Sequence, residues 1–218
     1  MLKLALISML VLLPGRVLGG DAFEQASRVA YEILGKEISS PMCQPPSASE
    51  ARRRALVTAL ESITTVGLAD ATGLTPLDYA VFADDVPSIE RLVAIGYALD
   101  TRDIHDGTLL HSATLVGSQK SMSFLLSHGA DPNARNSGGG TPLMVAVSQN
   151  RPELVWPLIE AGASAALRTS AGLTALHYAL PCKDPEVISA LLDAGAPIDA
   201  KAKALSAKFG IALTVNER

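Results

Sequence analysis

The chain is poor in the residues that announce most chemistries. Of 218 residues only 4% are aromatic, with one Trp, and only 18% are charged. Lys and Arg nearly balance Asp and Glu, leaving a formal charge of −4, so there is no basic footprint for nucleic acid or anionic lipid. Two cysteines are too few for a disulfide-built scaffold or a four-ligand zinc site. Neither a HExxH metal motif nor a GxSxG nucleophile elbow is present. Gly138-Gly139-Gly140 reads as a turn, not a phosphate cradle. The chain is also too apolar, at 48% hydrophobic, to remain disordered, and long enough to bury a core.

The apolar stretch Leu4–Leu13 falls well short of the roughly 20 residues that span a bilayer. It follows Lys3, precedes Pro14-Gly15 and reaches Val17-Leu18-Gly19-Gly20, the layout of a secretory signal peptide over residues 1–20. Cleavage near Gly19 or Gly20 removes Lys3 and Arg16 and no acid. The expected mature protein is periplasmic or secreted, in an oxidising compartment, with no membrane insertion. Retention of the segment as an anchor is the alternative.

What is abundant is repetition. Thr75, Thr108, Thr141 and Thr174 stand 33 residues apart. Leu77, Leu110, Leu143 and Leu176 keep that period, as do Ala80, Ala113, Ala146 and Ala179, and Gly96, Gly129, Gly162 and Gly195. The pairs Leu92-Val93, Leu125-Leu126, Leu158-Ile159 and Leu191-Leu192 follow in register. A strict period of this size marks stacked supersecondary units, none of which buries its own apolar face. Each Thr is placed to cap a helix, with Pro76 or Pro142 at the first helical position, and each Gly to end one.

These residues resemble the ankyrin repeat, whose turn is followed by T-P-L-H-x-A, a second helix with an aliphatic pair, and G-A-D-x-N. The motif stands here as Thr75-Pro76-Leu77-Asp78-Tyr79-Ala80, Thr141-Pro142-Leu143-Met144-Val145-Ala146, Thr174-Ala175-Leu176-His177-Tyr178-Ala179 and Gly129-Ala130-Asp131-Pro132-Asn133. The resemblance implies an all-α ankyrin-repeat solenoid of helix-turn-helix units with short β-hairpin tips, four repeats over about 70–201, and a helical N-terminal cap. Residues 21–69 are expected to supply that cap, with helices at 21–39 and 50–65 and a Pro-rich linker at 41–46. Residues 202–218 form a partial C-terminal cap. Two departures stand out: Pro157 inside a second helix, expected to kink or loosen it, and Asp106 where a turn glycine is usual, expected to reshape that tip.

The resemblance further implies a non-catalytic binding scaffold, with no cofactor, no metal and no nucleic acid, acting as a monomer on another protein. His111 and His177 occupy the motif's His place, where the ring usually hydrogen-bonds backbone, and His128 suits a helix C-terminus. Arg102, Arg135, Arg168 and Lys201 form a basic column read as solvated surface ahead of an acidic-partner rail. Partner contacts are expected at the helix ends and tips: Phe82, Leu115, Val116 and Gln149, with Thr72, Leu74, Ile104 and His105. The acidic residues Asp84, Asp85, Asp103 and Asp106 would rim this patch and favour a partner with a basic edge. Self-cover by the 21–39 helix is the competing reading. Cys43 and Cys182 are left as separate thiols, an intermolecular bridge, or a pair made only if the linker folds back. Trp156 is assigned to packing on the convex side. Exported bacterial proteins of this type suggest either an immunity protein neutralising a toxin or a helper of an exported oxidative-stress enzyme. A hydrolytic site around His105 or a thiol-redox activity is a more distant alternative.

Overall fold

The computed structural model describes residues 50–61, 63–64, 66–70 and 72–213, with side chains from residue 53. The expected signal peptide, the 21–39 helix and the 41–46 linker lie outside the described residues. Among the described residues ten α-helices follow one another: α1 (Glu50–Glu61), α2 (Pro76–Ala83), α3 (Val86–Ala94), α4 (Leu109–Val116), α5 (Gln119–Ser127), α6 (Pro142–Ser148), α7 (Pro152–Glu160), α8 (Ala175–Ala179), α9 (Pro185–Asp193) and α10 (Ala200–Phe209). A single 3-10 turn, Leu180–Cys182, extends α8. Cys182 is disulfide-bonded, which sets separate thiols aside; Cys43 lies outside the described residues. Among the described residues there is no strand, only isolated bridge residues such as the antiparallel pair Arg102 and Thr108.

The period of 33 becomes two parallel rows of helices. The inner row stacks α1, α2, α4, α6, α8 and α10 in order; the outer row stacks α3, α5, α7 and α9. Each Thr of the repeated column is the extended residue before an inner helix. The four columnar leucines Leu77, Leu110, Leu143 and Leu176 are at most 1% exposed, and the four alanines beneath them let adjacent helices approach closely. Leu92, Leu125, Leu158 and Leu191 close the core from the outer row. Gly129, with φ of +85°, ends α5 in the left-handed region, and its counterparts end the other outer helices in the same way.

The flanking helices cap both ends. The first caps the stack as expected, but α1 stops at Glu61, four residues short of the expected end. Leu56 and Leu60 pack onto α2, and the Arg91 guanidinium of α3 donates to the carbonyls of Leu60 and Ile63, fastening the end of α1. At the other end α10 begins at Ala200, with the Asp199 carboxylate accepting the Ala202 N–H at 2.9 Å.

Both departures are absorbed. Helix α7 runs unbroken through Pro157, because the hydrogen bond Pro157 cannot donate would have reached Glu153, an exposed residue of the first turn. Asp106 takes φ of +63° and so performs the glycine's part itself; the turn closes normally by Asp103 N–H to Gly107 C=O at 3.0 Å. Aspartate tolerates this conformation better than most residues with a side chain.

Two expected contact residues are corrected. Phe82 and Val116 are each 1% exposed, and Phe82 packs its ring 6.0 Å from that of Tyr79. Every residue of α2 is buried, since α1 covers it on one side and α4 on the other. Phe82→Ala is therefore expected to cost about 3–5 kcal/mol of stability, measured by urea denaturation; a loss below about 1 kcal/mol would contradict a core role.

Candidate partner-binding surface

The surface most distinct from the core is the row of four turns that precede the inner helices. Each turn is built the same way. A side-chain acceptor two residues ahead of the tip receives the N–H groups that the turn would otherwise leave unpaired. Asp70 accepts from Thr72 at 2.7 Å and Leu74 at 3.0 Å; Asp103 accepts from His105 at 2.7 Å and Gly107 at 2.8 Å. Asn136 accepts from Gly138 at 3.0 Å and Gly140 at 2.9 Å, and the Thr169 hydroxyl from Leu173 at 3.2 Å. The column Asp70, Asp103, Asn136 and Thr169 keeps the same period of 33, and of the four only Asp103 belongs to the expected acidic rim.

Successive tips are joined by backbone. Ile104 N–H donates to Thr72 C=O at 3.1 Å, Ser137 to His105 at 2.8 Å, and Ser170 to Gly138 at 3.0 Å. The tips thus form one continuous hydrogen-bonded edge. A methyl group at Gly139 would lie 3.0 Å from the Ser170 nitrogen, so the close approach of tips depends on that glycine.

The basic column ties the same edge from beneath. Arg102 donates to the Asp106 carbonyl at 2.7 Å and to the Arg135 carbonyl at 3.2 Å; Arg135 donates to the Arg168 carbonyl at 2.6 Å. Arg168 ends the series on the Asp199 carboxylate at 2.8 Å. These guanidiniums are exposed, as expected of solvated surface, and each is also engaged by its own or the next repeat. Lys201 lies apart from them, exposed on α10.

Three of the four histidines, His111, His128 and His177, are structural members. His111 Nδ1 accepts the Thr108 N–H at 3.2 Å, so its Nε2–H donates to the Gly140 carbonyl of the next repeat at 3.1 Å. Burial holds the His111 pKa below the ordinary imidazole value, in keeping with a neutral ring. His177 repeats the arrangement with Thr174 and with the Asp199 carboxylate at 3.2 Å. His128 stacks on Phe124 and bonds its carbonyl at 2.8 Å.

Asp78 stands where His111 and His177 stand. Its carboxylate accepts from the Thr75 N–H at 2.9 Å, the Thr75 hydroxyl at 3.0 Å and the Ser112 hydroxyl of the next repeat at 2.9 Å. Burial raises its pKa to about 6, against the opposing effect of these donors. The Asp199 carboxyl is instead held down at about 2, first by the Ala202 N–H and then by Arg168.

Of the expected contact residues, the structure leaves Ile104 and His105 fully at the surface, Ile104 being 61% exposed. Thr72, Leu74, Leu115 and Gln149 are half-buried. The acidic rim is mostly spent on backbone: Asp84 accepts from Ser121 N–H at 2.8 Å and Asp85 from Ser88 N–H at 3.0 Å, as Asp103 does within its turn. Asp106 alone of the four stays exposed at the tip. Trp156, placed by the sequence in packing, is 51% exposed on the outer row. Among the described residues no three His, Cys, Asp or Glu side chains gather into a metal site, and no helix is long and apolar enough to cross a membrane.

Family models described as ankyrin repeats match residues 105–137, 125–179 and 171–203. Among known proteins, an ankyrin repeat protein of Acanthamoeba polyphaga mimivirus is 32% identical over 94 residues, covering 41% of this chain and 13% of the viral protein. An ankyrin repeat protein of fowlpox virus is 32% identical over 90 residues, with 41% and 21% covered. Ankyrin repeat domain-containing protein 13C of Danio rerio is 29% identical over 86 residues, with 39% and 17% covered. The chain thus spans about a fifth or less of the length of these relatives. Residues 105–203 are ankyrin repeats, and the α2–α3 pair repeats their architecture ahead of the matched region.

Two opposite pH responses are expected. Asp78 binds its proton more tightly folded than unfolded, so its contribution to stability falls as pH rises from about 4 through about 6. Asp199 is the reverse: its contribution is present above about 4 and is lost as pH falls toward about 2. Denaturation midpoints from pH 2 to 7 should lose the upper slope in Asp78→Asn and flatten at the acid end in Asp199→Asn; unchanged slopes would refute the assignments.

Proposed function

We propose that these ankyrin repeats form a non-catalytic protein-binding module of the periplasm or another exported compartment, working as a monomer through its turn tips. The observation that carries this reading is Ile104. It is a large apolar side chain held in water at the apex of an edge whose backbone is hydrogen-bonded from tip to tip. An exposed aliphatic on a rigid support is what an anchor residue requires, because little conformational entropy remains to be lost on binding. His105 stands beside it, and Thr72 of the preceding tip bonds directly to its backbone. Ankyrin repeats are typically interaction modules and not catalysts, which agrees with polar side chains here that are consumed in building turns. The export assignment rests on the composition of residues 1–20 alone.

The partner follows from chemistry only in part. With Asp84, Asp85 and Asp103 committed to backbone and the Asp106 carboxylate 3.8 Å from the Arg102 guanidinium, an apolar pocket matters more than a basic edge. A toxin neutralised by this chain and an exported enzyme assisted by it remain the two partner kinds.

Affinity capture from periplasmic extract tests the reading, with the chain as bait beside an Ile104→Arg variant. Ile104 makes no core contact, so the variant should keep the parent's circular dichroism and a stability within about 0.5 kcal/mol. One stoichiometric protein retained by the parent, with affinity reduced at least about 30-fold in the variant, is the expected result for an anchor worth about 2 kcal/mol. A partner held equally by both chains would remove the tips from the interface.

A further inference from the structure

Asp100 and Asn133 hold the same place in successive repeats, in the loops that leave α3 and α5. Asn133 clamps its loop to the next one: its Nδ2–H donates to the Gly162 carbonyl at 2.9 Å, and its Oδ1 accepts the Ser164 N–H at 2.8 Å. An amide can do both because it carries donor and acceptor, whereas a carboxylate only accepts. Asp100 makes neither bond. Among the described residues its exposed carboxylate has no hydrogen bond or ion pair, and the Gly129 carbonyl, counterpart of Gly162, receives no donor.

Without the clamp, nothing draws these two loops together at this point. A cleft of about 460 Å³ lies there, with Asp100 and Gly129 both in its wall. That volume is within the range of small-ligand sites, roughly 300–1,000 Å³. The rest of the wall is largely apolar, with Leu99, Leu110, Leu125 and Ala134. Three other polar side chains border it, and each is engaged. Arg102 donates to the carbonyls of Asp106 and Arg135, His128 Nδ1 bonds the Phe124 carbonyl, and Asp131 accepts the Asn133 N–H at 2.8 Å. Asp100 is the charge left to act on a ligand.

We propose that this cleft binds a small alkylammonium ion, with its chain along the leucines and its head between the Asp100 carboxylate and the Gly129 carbonyl. Two acceptors without donors call for a head carrying several N–H groups, and the charge on one of them calls for a cation. An anionic head would meet Asp100 and Asp131 with like charge, and a hydroxyl would bring one donor and no charge. The apolar wall supplies affinity in proportion to the chain it removes from water. A free chain can lie along Leu110 and Leu125, each 1% exposed, whereas a partner's lysine brings a four-carbon stem tethered at the mouth. None of the tip residues Thr72, Ile104 and His105 lines the cleft, so the site stands apart from the proposed partner edge.

Octylammonium chloride would be titrated into the full chain by isothermal calorimetry, with octanol, octanoate and N-acetyl-lysine methylamide in parallel. One site for octylammonium is expected, with each of the others bound at least about tenfold more weakly. Asp100→Asn supplies the amide that Asn133 uses. It should weaken octylammonium at least about tenfold and raise the ligand-free thermal midpoint by about 2–4 °C, as the clamp closes. Asp100→Ala removes the carboxylate without supplying the amide, so it should lose the same affinity while melting with the parent. Circular dichroism confirms that both variants keep the fold. Equal octylammonium affinity in Asp100→Ala, octanol or octanoate bound as tightly, or an unchanged midpoint in Asp100→Asn would each overturn the site. Tighter binding of the lysine derivative than of octylammonium would assign the cleft to a partner's side chain and overturn the small-molecule reading.

Discussion

No helix pair in this chain can bury its own apolar face, and that constraint shapes everything else. Leu77, Leu110, Leu143 and Leu176 are each covered only because another layer is present, and the small alanines of the same helices set how near that layer comes. Stability is then a sum over neighbouring interfaces and not the property of one central core. The two ends are the weak points. They are met here by α1, which brings Leu56 and Leu60 to the first repeat, and by α10, which brings Ala202 to the last.

Polar groups follow the same logic. His111, Ser112, Arg102, Arg135 and Asn133 each reach into a neighbouring repeat, bonding a carbonyl, a carboxylate or both kinds of backbone group there. Individually such bonds add about 1 kcal/mol or less, but their repetition fixes the register and spacing of the layers. The proposed binding edge is a by-product of that fixing. Turn tips held by Asp70, Asp103 and Asn136, and joined by backbone bonds, present a rigid platform on which a single exposed side chain such as Ile104 acquires meaning.

The features of this edge read correctly from the sequence were those set by position within one repeat. Turn tips, capping threonines and terminating glycines depend on local backbone chemistry, so their places followed from the period. The parts misread depended on neighbours. Phe82 and Val116 lie at helix ends that a bare repeat would expose, yet α1 and the stack bury them. Arg102 and Arg135 are exposed as expected, but the carbonyls they bond lie one repeat away and could not be read from the sequence. Asp106 and Pro157 broke the pattern in the sequence but not in the fold, since a left-handed aspartate and a proline losing one exposed bond are both tolerated.

The amino-acid sequence by itself determined the repeat, the all-α solenoid, the order of helices and the location of the tips, because a period of 33 with Thr, Leu, Ala and Gly in register admits one kind of stacking. Which of the repeated side chains face water and which carboxylates are spent on backbone were decided only by the tertiary structure. Burial and hydrogen bonding are relations between layers, and a residue's neighbour one layer away lies some thirty positions distant in the chain.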